Sequence, residues 1–255
     1  MYFEANNPGL MSNVDVAGSC LNCNAELISG TVYCGQCGQH AQVHRLNGNH
    51  FLHEVTHAFT HADKNIFTLI WQLLYRPGEI AREYVKGKRK KYFSPLTFLV
   101  ISVGISSLIM YNTGFVDFSK GLGKNAFSGF MNSHTNLIIY MNIPILAFFN
   151  LLLFRKSGFN YWEHLVFVCF VSAERSLFFC AIVAPTYLIF PGAHNYIIFL
   201  YLVVWIIYFA YASKQFLGSD SKASYPRFLL VPILSQVVIM ILVTSIILLY
   251  LVIRK

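Results

Sequence analysis

Charge is what this chain has least of. Asp, Glu, Lys and Arg make up 12% of its 255 residues, about half the ~25% of ordinary soluble domains. Hydrophobic residues reach 56% and mean hydropathy is +0.53. A water-soluble globule of this size cannot cover so much apolar surface, so the composition excludes one and predicts an integral membrane protein. Negative charge is the scarcer sign, 11 Asp and Glu against 19 Lys and Arg, which leaves a formal charge of +8. Beside long apolar runs, that excess is expected to face anionic lipid headgroups and the cytoplasm, with nucleic acid the minor reading.

Other absences narrow the chemistry. The first 19 residues hold no apolar core, so no secretory signal is read there and an untranslocated N-terminus in a reducing compartment is expected. Walker, Rossmann and nucleophile-elbow patterns are all missing.

Among what is present, the cysteines speak first. Four of the six fall in Cys20-Leu-Asn-Cys23 and Cys34-Gly-Gln-Cys37. Two C-x-x-C knuckles at this separation present four thiolates to one tetrahedral ion, and in a reducing compartment they point to structural zinc rather than disulfides. All four ligand positions are filled, so no coordination site is left open for catalysis. Residues 1–18 read as a disordered leader and 19–44 as a zinc ribbon, with a short hairpin expected in 24–33 between the knuckles.

Asn47-Gly-Asn49 offers N-cap chemistry to a helical pattern. Phe51, Leu52, Val55, Ala58, Phe59 and Ala62 gather on one face, and His50, His53, His57 and His61 on the opposite one. His53-Glu54-Val55-Thr56-His57 matches the zincin pattern, in which two imidazoles bind a metal and the glutamate acts as general base. A hydrolase needs a third ligand. His61, Asp63, Glu79 and Glu83 are candidates without a recognisable spacing, and no companion L-D-G motif follows. A second non-catalytic metal site, a pH-responsive surface and a plain polar face remain open for these histidines.

Ile66 to Tyr75 is apolar apart from Thr68 and Gln72, and too short to cross ~30 Å of hydrocarbon. It is expected to lie in the interface or against the spans. Pro77 should stop that helix and open the next. That next helix runs into Lys86, Lys88, Arg89, Lys90 and Lys91, which read as a membrane anchor for anionic headgroups. Residues 47–93 thus form an amphipathic connector.

The Cys-Gly-Gln-Cys-Gly-Gln knuckle, His61-Ala-Asp-Lys64, and Arg76-Pro-Gly-Glu-Ile-x-x-Glu-Tyr-x-x-Gly-Lys-Arg-Lys-Lys-Tyr-x-x-Pro95 together resemble a bacterial membrane-protein family known only as a domain of unknown function. The resemblance is specific over about 20–100. It implies an N-terminal zinc ribbon followed by several spans in the bacterial inner membrane, and no activity.

Residues 94–255 read as a transmembrane helical domain with five stretches long enough to span, about 95–115, 136–154, 162–190, 196–213 and 228–253. With the N-terminus inside, twelve Lys and Arg flank the spans on the cytoplasmic side: Arg76, Arg82, the five of the anchor, Arg155, Lys156, Lys214, Lys222 and Arg227. Four lie outside, Lys120, Lys124, Arg254 and Lys255. The third stretch carries Glu163-His164 near the surface and Glu174-Arg175 near mid-membrane, on one stripe about 16 Å apart. Ionisable groups at that depth are functional candidates, and the alternative is a structural polar bridge to Asn142, Asn150 or Gln236.

The fold class is therefore mainly α and membrane-bound, with a small β-containing zinc ribbon. Three functions follow: a non-enzymatic docking or assembly subunit of a membrane complex, with a protein partner; a membrane metallohydrolase using His53, Glu54 and His57; or a small transporter or lipid-handling protein using the polar groups of the third span.

Overall fold

The computed structural model describes residues 16–48, 66–117, 119, 123–133, 135–218 and 225–253. His50, His53, Glu54, His57 and His61 lie outside these residues, as do the first fifteen positions of the expected leader.

The N-terminal cysteine module begins with an antiparallel pair, β1 (Val16–Ser19) and β2 (Glu26–Ile28). Val16 faces Ile28, Gly18 faces Leu27 and Ser19 faces Glu26, with a bulge between Val16 and Gly18. This differs from the hairpin expected between the knuckles, because here the first knuckle is itself the turn. The Cys20 N–H donates to Ala25 O at 2.8 Å and the Asn24 N–H to Cys20 O at 2.9 Å. Asn24 sits at φ 61°, a left-handed conformation that a short polar side chain tolerates. The second knuckle repeats the device. The Cys34 N–H donates to Gln39 O and the Gly38 N–H to Cys34 O, Gly38 takes φ 70°, and Tyr33 bridges His40 beyond it. In both knuckles one residue of positive φ reverses the chain directly after the second cysteine.

The remainder is helical: α1 (Ile66–Tyr75), α2 (Pro77–Val85), α3 (Pro95–Thr113), α4 (Ala126–Ser133), α5 (Thr135–Leu153), α6 (Tyr161–Phe178), α7 (Ala184–Ile189), α8 (His194–Leu217) and α9 (Tyr225–Ile253). A π turn, Phe179–Val183, joins α6 to α7 without a break. Its cause is legible: Pro185 has no N–H, and its ring would collide with the carbonyl four residues back in a regular helix. The turn widens, and the Ala184 N–H reaches Phe179 O instead.

Among the described residues, four helices are long and apolar enough to cross a membrane: Pro95–Thr113, Tyr161–Ile189, Pro191–Leu217 and Tyr225–Tyr250. Of the five stretches expected, the second is the shorter case. It forms α5, with Pro144 inside it, and its described apolar part is Tyr140–Leu153. Tyr161–Ile189 is the central helix, 67% buried where the other three spans are 22–33% buried. It packs against α3, α5, α2 and α8. Phe167 of α6 is fully buried and stacks on Phe216 of α8 at 4.7 Å between ring centroids. In hydrocarbon such contacts hold by close packing and ring geometry, since lipid tails are as apolar as the side chains.

The short helices α1 and α2 lie against this bundle. Leu69 and Leu73 of α1 are buried against the bundle while Phe67 and Trp71 are exposed. Pro77 removes the N–H that would have bonded Leu73 O, and α8 supplies the replacement: the Tyr208 hydroxyl donates to Leu73 O at 3.0 Å. Tyr211 and Gln215 donate to Tyr75 O at 2.7 and 3.0 Å. Orphan carbonyls at a helix end are thereby satisfied where water is scarce. Gly78 then lets α2 approach α8 so closely that a Cβ would overlap the backbone of Ala212 and Phe216.

Candidate metal centre

The two knuckles face each other. The sulfurs of Cys20, Cys23, Cys34 and Cys37 all lie within 4.8 Å of one another. Cys20 Sγ is 3.6 Å from Cys37 Sγ, and Cys23 Sγ is 3.6 Å from Cys34 Sγ. Backbone N–H groups of Cys37 and Gln36 hold the Cys34 thiol below its ordinary value. At Cys37 desolvation raises the value, but the backbone N–H of Gln39, the Asn22 side chain and the neighbouring thiols Cys23 and Cys20 outweigh it and bring the thiol down to about 6. N–H groups aimed at sulfur favour the thiolate, which is the form that binds metal. The four cysteines can hold a metal ion, and they fill a tetrahedral shell by themselves.

This module is fastened to the bundle by groups that carry no chemistry of their own. Gln39, the last residue of the Cys-Gly-Gln-Cys-Gly-Gln stretch, is 5% exposed. Its Oε1 accepts the backbone N–H of Arg89 and of Lys90, each at 3.2 Å. Arg89 in turn donates from Nη2 to His44 O at 2.7 Å. Gly87, at φ 112°, lets the same loop pass against Leu21 and Val43. The knuckle and the basic block, separate in sequence, are thus two halves of one contact.

Glu83 organises the basic block from below. It accepts from the Tyr92 hydroxyl at 2.6 Å and Lys91 Nζ at 3.1 Å, and pairs with Lys88 Nζ at 3.4 Å. Desolvation opposes ionisation of Glu83, yet Tyr92, Lys91 and Lys88 together hold its carboxyl down at about 2. Lys88, Arg89 and Lys91 therefore have partners within the protein, and Lys91 is nonetheless exposed, as Lys86 and Lys90 are. Glu79, the other acidic residue of this stretch, pairs with Arg76.

A second fastening lies at the start of the central helix. Asn160 and Glu163 form a capping box, the Asn160 side chain accepting the Glu163 N–H at 2.9 Å and Glu163 Oε2 the Asn160 N–H at 2.7 Å. Arg45 donates to both oxygens of Glu163, at 2.8 and 2.9 Å, and to Gly158 O at 2.6 Å. Asn160 Nδ2 reaches Leu46 O at 2.9 Å. Glu163 thus caps a helix and ties down the chain that follows the cysteines. The Asn-x-x-Glu spacing was readable as a cap, but the role of Arg45 had no signal.

The other polar residues of the central helix go separate ways. His164 is fully buried against Phe159 and Phe216, and neither ring nitrogen has a partner. Arg175 donates from Nε to the Tyr201 hydroxyl at 3.1 Å and lies over the rings of Tyr201 and Trp205. Glu174 is 4% exposed, with Oε2 unpartnered. Asn142 and Gln236 line a cavity of about 140 Å³ together with Arg175, Ser172 and Ser176. Asn150 is fully buried with both amide atoms unpartnered.

These features define a helical membrane protein carrying a four-cysteine cluster that can hold a metal ion. The sequence profile of a family described as "Protein of unknown function (DUF3667)" matches residues 63–106, the segment that holds α1, α2, the basic loop and the first part of α3. No curated protein and no solved structure matches the chain.

Proposed function

We propose that this is a non-enzymatic protein of the bacterial inner membrane whose cytoplasmic zinc ribbon serves as a docking module, making the chain an assembly factor or accessory subunit of a larger membrane complex. The observation that carries this reading is the closed tetracysteine cluster clamped to the bundle by Gln39 and Arg45. Zinc fits the donor set. A Zn–S bond of ~2.3 Å sets tetrahedral sulfurs ~3.8 Å apart, and two of the sulfur pairs are at 3.6 Å. A filled shell leaves the metal to hold shape. The clamp leaves Ile28, Val32 and Tyr33 exposed on the ribbon, which suits a contact with another protein.

The placement of cations supports a cytoplasmic ribbon. Arg45 reaches the loop after α5, which holds Arg155 and Lys156, and Arg82 meets Gly218 just beyond Lys214. Most of the twelve cations expected inside are thereby on the same side as the ribbon, in keeping with the positive-inside rule.

The test has two parts. Purified full-length protein should contain one zinc per chain, lost in Cys23→Ser or Cys37→Ser. A photo-crosslinking residue at Tyr33 should give one defined adduct in intact cells, and either cysteine variant should abolish it. A chain that carries zinc but yields no adduct from position 33 would remove the docking role.

A further inference from the structure

The cavity beside Glu174 calls for a ligand of its own. It measures about 150 Å³ and is walled by Glu174, Arg175 and Phe178 of the central helix and by Tyr201, Trp205 and Tyr208 of α8. Leu74 of α1 and Val204 of α8 complete the wall. Both are partly exposed, at 41% and 38%, so the cavity opens on the outer surface of the helical bundle. Its size is that of a single aromatic ring; an apolar protein cavity of ~150 Å³ stays dry and takes up benzene.

Two polar groups on this wall set the chemistry. Glu174 has an oxygen without a partner while being 4% exposed. Arg175 spends Nε on Tyr201, and its terminal nitrogens have no hydrogen-bond acceptor among the described residues. A plain alkyl chain satisfies neither group. An amine is opposed by the guanidinium, and a small anion by the carboxyl group. A metal ion would find one carboxylate and a cation beside it. A neutral molecule with a ring and a hydroxyl group meets every requirement: it donates to Glu174, accepts from Arg175 and stacks among aromatic walls.

We propose that this cavity binds the head of a lipid-soluble ring alcohol, a phenol or hydroquinone, entering from the bilayer between Leu74 and Val204. The hydroxyl group donates to Glu174, and the ring lies among Phe178, Trp205 and Tyr208. Neither the metal centre nor its partner takes part, so the site stands whether or not the ribbon docks.

Trp205 lines the cavity and reports on it. The full chain, with Trp71→Phe and Trp162→Phe, is reconstituted into liposomes and titrated with a decyl-chained bromophenol, whose bromine quenches tryptophan on contact. Quenching should saturate. Glu174→Met, which keeps volume but removes the acceptor, should weaken the apparent affinity tenfold or more. Val204→Phe, which fills the cavity from its lipid-facing rim, should abolish saturation, and it decides the matter even if Glu174→Met does not fold. The proposal is overturned by quenching that merely rises with membrane content, by equal saturation with a straight-chain bromoalcohol, or by a Val204→Phe protein that binds as before.

Discussion

Gly78 stands in the first turn of α2, where two opposed effects meet. Replacing a helical glycine with alanine ordinarily gains up to ~1 kcal/mol of helix propensity. Here the new Cβ would overlap Ala212 O, Phe216 N and Gln215 Cβ of α8, and backbone cannot yield as a flexible side-chain tip can. Overpacking of this kind costs about 1–3 kcal/mol, so strain wins. Gly78→Ala should lower the thermal midpoint in detergent, measured by tryptophan fluorescence, where propensity alone would raise it. Glu83 makes the second prediction. Its carboxyl is held down at about 2, below its unfolded value of ~4.3. A depressed carboxylate stabilises the fold above the unfolded value and loses that contribution as pH falls through the folded one. Wild type should therefore be more stable than Glu83→Gln by about 1 kcal/mol at neutral pH, a modest figure because the ion pairs are partly solvated. The gap between their melts should close between about pH 4.3 and 2; a gap independent of pH would show that packing, not charge, makes the difference.

At the scale of elements, the module and the bundle meet through single side chains reaching across many residues. Gln39→Ala should leave the N–H groups of Arg89 and Lys90 without their acceptor, at a cost of about 1–2 kcal/mol, while the four sulfurs stay in place. The expected signature is one full equivalent of metal together with faster proteolysis in 42–48. Loss of metal in this variant would mean that the contact builds the site rather than seats it. The same elements show what the sequence made legible. The knuckles were readable because C-x-x-C is a local spacing with one chemical meaning. The break at Pro77 was readable because proline acts on its own helix. The central place of Tyr161–Ile189 was foreshadowed by its length and its polar residues. The contacts of Gln39 with Arg89 and of Arg45 with Glu163 were not, because a side chain that bonds a distant backbone leaves no periodicity behind. The basic block hid its internal partners for a related reason: a run of cations reads the same whether or not, as at Lys88, Arg89 and Lys91, its members also pair within the protein.

For the molecule as a whole, the core lies in two parts. One is the large cluster around Phe98, Phe167, Phe209 and Phe216; the other is the small one of Phe115, Phe179, Val183 and Ala184 at the far end. The cysteine module belongs to neither, having its own cluster of Cys20, Leu27 and Cys34. So few apolar residues cannot hold a fold alone, and small metal modules unfold when stripped. Prolonged treatment with a strong chelator should therefore expose the module to protease while far-UV circular dichroism of the bundle stays nearly constant. Collapse of both together would make the module a structural keystone of the membrane domain.

The π turn at Phe179–Val183 has a consequence for how this chain tolerates length change. Each turn there counts one residue more than an α-helix allows, so the central helix carries a surplus position between its two cores. Deleting one residue from 179–183, together with Pro185→Ala, should let the helix close into a regular one at no cost in backbone bonding. Because the wide turn takes up the extra residue, the two sides should keep nearly the same rotation about the helix axis. Phe115 should keep its edge-to-face contact with Tyr187 and Arg175 its bond to Tyr201, whereas Pro185→Ala with the residue kept and the helix forced regular would turn one side by ~100°. The wide turn works as a phase keeper: it lets the central helix carry an extra residue while the groups on either side still meet their partners.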